Sequence, residues 1–148
     1  MTESKLPRIV VTGMGLVSPL GVGVAPVWER LIGGRSGLRR LPDELTEEIE
    51  NKVAGIAPSI DEDPHGFDVD ALASPKDRRK MDRFILFALE AARQALAEAD
   101  WAPEDEAARR RTATVMASGI GGFPVITDAV KTVEERGPRR LSPFTVPS

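Results

Sequence analysis

An α/β fold built on a mixed or parallel sheet is what this sequence predicts, and three observations carry the expectation. Two short β-branched runs, at 8–12 and 112–117, each lead into a glycine turn. A long amphipathic stretch at helical spacing lies between them. Along the chain the order is strand, helix, possible strand, helix, strand, helix, the alternation that lays helices against a sheet.

Arg8-Ile-Val-Val-Thr12 ends at Gly13 and has the pattern of a buried strand. Gly13, Gly15, Pro19, Gly21 and Gly23 then mark a long turn region. A helix is predicted over Pro26–Ile32, with proline in its first turn and Gly33-Gly34 as its stop. Residues 35–51 read as irregular, 52–57 as a possible strand, and 58–68, rich in Asp and Pro, as loop. The next helix opens at Ser74-Pro75, where Asp77 completes an S-x-x-D capping box. Phe84, Phe87, Ala88, Ala91, Ala92, Ala95, Leu96 and Ala99 follow at i, i+3, i+4, i+7 spacing. So many alanines imply close approach to a neighbouring backbone. Asp82 is a second candidate cap, so a break near Met81-Asp82 stays open, while Asp100 and Pro103 end the helix. Thr112–Ala117 reads as a second buried strand and Ser118-Gly-Ile-Gly-Gly122 as a turn. A last helix runs from Val125 to Arg136, apolar at Val125, Ile126, Ala129, Val130 and Val133, and Gly137-Pro138 closes it.

A chain of 148 residues suits one domain or a piece of one. Its net charge of −3 gives no global case for nucleic acid or an anionic membrane. There is no cysteine, which excludes a disulfide framework, a thiolate metal site and a cysteine nucleophile within these residues. A single histidine leaves little material for Ser-His or Cys-His pairs. The charged start, Met1 to Pro7, lacks the apolar core of a secretory signal, and no apolar run approaches the roughly 20 residues of a membrane span. A cytoplasmic protein without membrane or nucleic-acid partners is expected, and no cofactor or metal is called for. The chain stops inside the proline-flanked stretch Leu141–Ser148, which reads as a cut.

Gly13-Met-Gly15-Leu-Val-Ser18 after a strand is similar to a dinucleotide fingerprint, in which glycines let backbone amides approach a pyrophosphate. Ser18 replaces the third glycine, Pro19 follows at once, and no acidic residue ends a second strand, so a tight turn closing a core strand is the stronger reading. The turn 118–122 lacks the Lys and Ser/Thr of a phosphate loop. Its Ile120 is either a packing residue or the wall of an apolar pocket. Lys76, Arg78, Arg79, Lys80 and Arg83 form a basic cluster, and at 100° per residue 76, 79, 80 and 83 share one helical face. That face is either simply solvated or a dock for an acidic protein or a phosphate group. His65, in a turn-rich stretch, reads as a surface residue. The acid runs Glu47-Glu48-Glu50 and Glu104-Asp105-Glu106 read as solvated.

Several segments together resemble the β-ketoacyl-acyl carrier protein synthases of the type II branch. They are Arg8–Gly21, then Trp28 with Leu31 and Gly33–Gly37, Pro75–Phe84, Ala117–Gly122, and Gly137–Phe144 with Pro147-Ser148. These occur in the family's order and approximate spacing over nearly the whole chain. The resemblance implies a thiolase-like layered fold, paired as a homodimer, of which residues 1–148 would be an incomplete part of the N-terminal half. The implied activity is acyl transfer in fatty acid biosynthesis: decarboxylative condensation of malonyl and acyl groups carried on acyl carrier protein. The family's catalytic cysteine lies beyond the Ser-Pro-Phe segment and its two histidines further on, so no residue here is assigned a catalytic role, and His65 matches none. By position, Lys76, Arg79 and Lys80 would contact acyl carrier protein, with Arg78 adding charge, and Ile120 would line the acyl pocket as a chain-length determinant. Thr145 stands where the family often has a second phenylalanine that reaches the partner subunit's pocket, so that contact is not implied here. Two other readings stay open: a non-catalytic carrier-protein-binding or chain-length-factor-like relative, and a small nucleotide-binding α/β domain.

Overall fold

The glycine-rich stretch after the first apolar run turns back on itself. In the computed structural model, which describes residues 7–145 apart from 46 and 48, β1 (Val17–Ser18) pairs antiparallel with β2 (Gly21–Val22). The Ser18 hydroxyl fastens this hairpin, accepting from the Leu20 amide at 3.1 Å and donating to the Gly21 carbonyl at 3.2 Å. Gly23, at φ 94°, hands the chain to α1 (Val24–Ile32), which stops at Gly33 as expected. The readings that rest on Met1–Leu6, Glu48 and Pro147-Ser148 lie outside the described residues.

The stretch 35–51 is less irregular than the sequence suggests. β3 (Leu38–Arg40) pairs antiparallel with β4 (Val53–Gly55), in register Leu38↔Gly55, Arg39↔Ala54 and Arg40↔Val53, with a 3-10 turn at Asp43–Leu45 between them. β3 is exposed throughout, so it shows no apolar alternation to reveal it. The Asp- and Pro-rich loop that follows folds over α1. A parallel bridge joins Ser59 to Phe67, and the Arg30 guanidinium donates to Asp63 and to the Leu20 carbonyl, each at 2.7 Å. That ion pair, together with the His65 amide, holds the Asp63 carboxyl at about 2, below its ordinary value.

Two short helices come next, α2 (Val69–Leu72), capped by Asp68, and α3 (Pro75–Arg78), capped by Ser74. The open question at Met81-Asp82 resolves as a break, because Asp82 caps a separate helix, α4 (Arg83–Glu98). Asp100, at φ 48°, ends it. The acid run at 104–106 proves partly structural. Asp105 caps α5 (Glu106–Arg110), accepting from the Ala108 amide at 2.8 Å, and Glu106 pairs with Arg110. α6 (Phe123–Arg136) begins two residues earlier than expected and buries none of its side chains.

Among the described residues the buried apolar side chains are Val27, Ala57, Phe67 and Leu86. They come from α1, the 57–67 loop and α4; Arg30–Asp63 ties that loop to α1, and the rings of Phe67 and Phe87, edge to face at 5.0 Å between centroids, pack it on α4. The two runs expected as buried strands depart from expectation. Neither 8–12 nor 112–117 joins a ladder among the described residues, and Ile9 and Val115 are 92% and 88% exposed. A β-run becomes a strand only when a neighbouring strand exchanges hydrogen bonds with it, and no described segment pairs with either one in this way. Among the described residues the sheet content is therefore two antiparallel pairs and one parallel bridge. No helix among the described residues is long and apolar enough to cross a membrane.

Candidate functional site

α4 organises the surroundings of the site. Gly13 and Gly15 lie directly on its backbone: a Cβ at Gly13 would fall on the Ala95 carbonyl, and one at Gly15 on that of Ala91. The alanine spacing thus has the cause read from sequence, close approach of another backbone. Between the glycines, the Met14 amide donates to the Glu98 carboxylate at 2.6 Å, and beyond them the Leu16 amide donates to the Gln94 side-chain oxygen at 3.0 Å. A pyrophosphate cradle needs such amides unengaged. These two are taken by α4, which removes the basis of the nucleotide-binding reading.

Gln94 also donates to Glu90 at 2.8 Å, and Arg93 forks onto both Glu90 oxygens at 2.7 and 2.8 Å. Glu90 is 7% exposed, yet the Arg93 hydrogen bonds keep its carboxyl below the ordinary value against the opposing push of burial. With its oxygens bound in this way, Glu90 fastens the 13–16 segment to α4 through Gln94.

The basic cluster is not one helical face, which corrects the expectation from spacing. Arg79 caps the end of α3, and Lys80 and Met81 form a turn before Asp82 opens α4. The 100° rule assumed a continuous helix. Its five cations also divide by role. Arg78 is paired with Asp70 of α2. Arg83 donates to the Ala57 carbonyl at 3.2 Å and lies over the Phe87 ring at 5.1 Å. Lys80 sits over the Phe144 ring at 5.5 Å. Lys76 and Arg79 are exposed, and their side chains have no hydrogen bond or ion pair among the described residues.

Arg79 also lines a cleft of about 260 Å³ together with Asp128 and Thr132 of α6 and Arg140, Ser142 and Phe144 beyond it. Reasoning from sequence missed Arg140. The Arg139-Arg140 pair was visible as a signal, but nothing in linear spacing joins it to Arg79.

The turn 118–122 approaches α4 near its first turn, at Phe84. A Cβ at Gly121 would stand 2.6 Å from the Phe84 ring, and Gly122, at φ 72°, adopts a left-handed conformation to start α6. Beside the turn lies an apolar cavity of about 360 Å³ lined by Phe84, Ile85, Ala88, Leu89, Met116, Ala117 and the turn's own Ser118. Ile120 is 71% exposed and stands outside this cavity's lining. His65 is on the surface as expected, its carbonyl accepting from the Val22 amide at 2.8 Å.

A helix on which both a glycine-packed segment and a glycine turn are seated, in a chain with a basic cleft, sets the geometry against which known proteins can be compared. Residues 7–148 match the family model for the β-ketoacyl synthase N-terminal domain, and the chain belongs to that family. It is 41% identical to a 3-oxoacyl-[acyl-carrier-protein] synthase 2 of Rhizobium meliloti, over 95% of this chain and 33% of that protein. It is 35% identical to the synthase of the same name from Staphylococcus aureus strain N315, over 99% of this chain and 33% of that protein. Among solved structures, a β-ketoacyl synthase from Burkholderia phymatum superposes with a TM-score of 0.71 at 29% identity, covering 95% of this chain and 33% of that one. The chain thus spans about a third of the length of the relatives it matches.

Proposed function

We propose that this chain serves as the N-terminal domain of a type II β-ketoacyl-acyl carrier protein synthase, an acyltransferase that lengthens acyl chains in fatty acid biosynthesis. One observation carries the reading beyond family membership. Among the described residues the side chains of Lys76 and Arg79 have no hydrogen bond or ion pair, Lys80 sits over an aromatic ring, and the fold brings Arg140 into the cleft that Arg79 lines, all on a chain of net charge −3. A concentrated basic patch on an acidic protein suits an acidic protein partner, and the relatives' names supply one, acyl carrier protein.

In this reading Lys76, Arg79 and Lys80 dock the carrier, and Ile120 forms one wall of the acyl pocket. The condensation needs a thiolate nucleophile, and the 148 residues hold no cysteine, so the acyl-enzyme step takes place on a residue outside them. The contribution of these residues is binding and orientation. The intact enzyme acts as a cytoplasmic homodimer on acyl and malonyl thioesters of the carrier.

The test is charge reversal. In an intact synthase containing this sequence, K76E, R79E and K80E together weaken carrier binding, and the loss is larger at low salt than at high salt. Unchanged binding at both salt concentrations would mean that the patch is only solvated and would sink the docking claim. A full-length protein that binds carrier but does not condense malonyl and acyl groups would instead be a chain-length-factor-like relative.

A further inference from the structure

We propose that Phe84 is a positioning residue that sets which acyl-chain lengths are accepted, by holding the turn that presents Ile120; this deepens the acyl-pocket reading and rests on it. Gly121 shows the contact, since a Cβ there would meet Cζ, Cε1 and Cε2 of the Phe84 ring at 2.6–2.7 Å. The rest of the turn, from Ser118 at the rim of the cavity to Ile120, is exposed. No atom of the described residues lies within 4 Å of the Cβ position of Gly119, Ile120 is 71% exposed, and α6, which follows Gly122, buries no side chain. The turn therefore leans on the folded body through the Phe84 ring.

Phe84 is itself well placed to act as a reference point. It lies in the first turn of α4, immediately after Arg83, which is tied to the Ala57 carbonyl and packed over Phe87. Its ring also walls the apolar cavity together with Met116 and Ala117, the residues that lead into the turn. A pocket separates acyl chains differing by methylenes through the position of its wall. Moving the support of Ile120 moves that wall while leaving Ile120 itself unchanged.

The experiment measures kcat and KM in an intact synthase containing this sequence, over acyl carrier protein substrates of increasing chain length. F84L withdraws the ring from Gly121 and is expected to change the ratio of kcat/KM between long and medium chains about tenfold, with the thermal midpoint retained. G121A pushes the ring from the opposite side and is expected to alter the same ratio, so it decides the matter should F84L fail to fold. I120F serves as the control for the pocket itself. If I120F changes the ratio while F84L and G121A leave it unchanged, the role of Phe84 is overturned and the pocket reading stands. If I120F also leaves it unchanged, the pocket reading fails and takes the proposal with it. A uniform fall in kcat at every chain length would show a merely structural role and would equally overturn the proposal.

Discussion

Gly15 shows how little room a single residue can leave. The obstacle to a methyl group there is helix backbone, the Ala91 carbonyl, which cannot rotate aside. Gly15→Ala should cost about 1–3 kcal/mol, the range for forced overpacking, and thermal unfolding would measure it. A variant as stable as the parent would mean that the segment is not seated on α4. Asp63 offers a second measurement at this scale. Its folded carboxyl titrates near 2, below the roughly 3.9 of an unfolded aspartate, because Arg30 and the His65 amide favour the charged form. The Arg30–Asp63 tie is therefore fully stabilising above the unfolded value and is lost as pH falls through about 2. Asp63→Asn should remove that part of the acid dependence and lower stability at neutral pH, and urea unfolding at several pH values would reveal both.

The break between α3 and α4 depends on Asp82 at the level of the element. Its side chain caps Arg83, and replacing it with alanine should cost about 1 kcal/mol, measured by chemical unfolding. This break also marks where sequence reasoning worked and where it failed. Ser74, Pro75, Asp77 and Asp82 are local signals, so both helix starts were legible. The alanine spacing at 91, 95 and 99 was legible too, because close backbone approach leaves a compositional trace. The shared face of Lys76, Arg79, Lys80 and Arg83 was misread because a periodicity argument carries across a break unnoticed. α2 and α5 are too short to show a period, and β3 is too exposed to alternate. Arg140 reaches Arg79 only through the path of the chain around α6, and the Phe84–Gly121 contact likewise joins distant segments. Contacts of that kind have no local signature.

The balance of surface and core governs the molecule as a whole. A folded monomer of 16.0 kDa is expected to expose about 7,400 Å², and this chain exposes 12168 Å², an excess of about 4,800 Å². Much of the excess is apolar: Ile9 and Val11 in the first run, Val115 and Met116 in the second, and Ile126, Val130 and Val133 along α6. Surface of this kind favours association. The 148-residue chain expressed alone should bind an apolar dye, be poorly soluble, and unfold in urea with a shallower slope than a folded domain of its mass. A steep, cooperative transition with no dye binding would contradict this. The α/β class was legible from the order of apolar runs, but their lack of ladder partners was not, since strand propensity says nothing about which neighbour is at hand.

The seating of the 13–16 segment has a consequence for assembly. Gly13 meets α4 at Ala95 and Gly15 meets it at Ala91, so two residues of one segment step along one turn of the other. The lengths agree, about 6–7 Å for two strand residues and about 6 Å for four helical ones. Sliding by one residue would drive Met14 or Leu16 into helix backbone, so the segment has a single allowed position. Residues 8–12 therefore leave α4 at a fixed height and heading. A strand laid beside them takes its register from a helix it never touches, and α4 thereby acts as the gauge from which a sheet would be built.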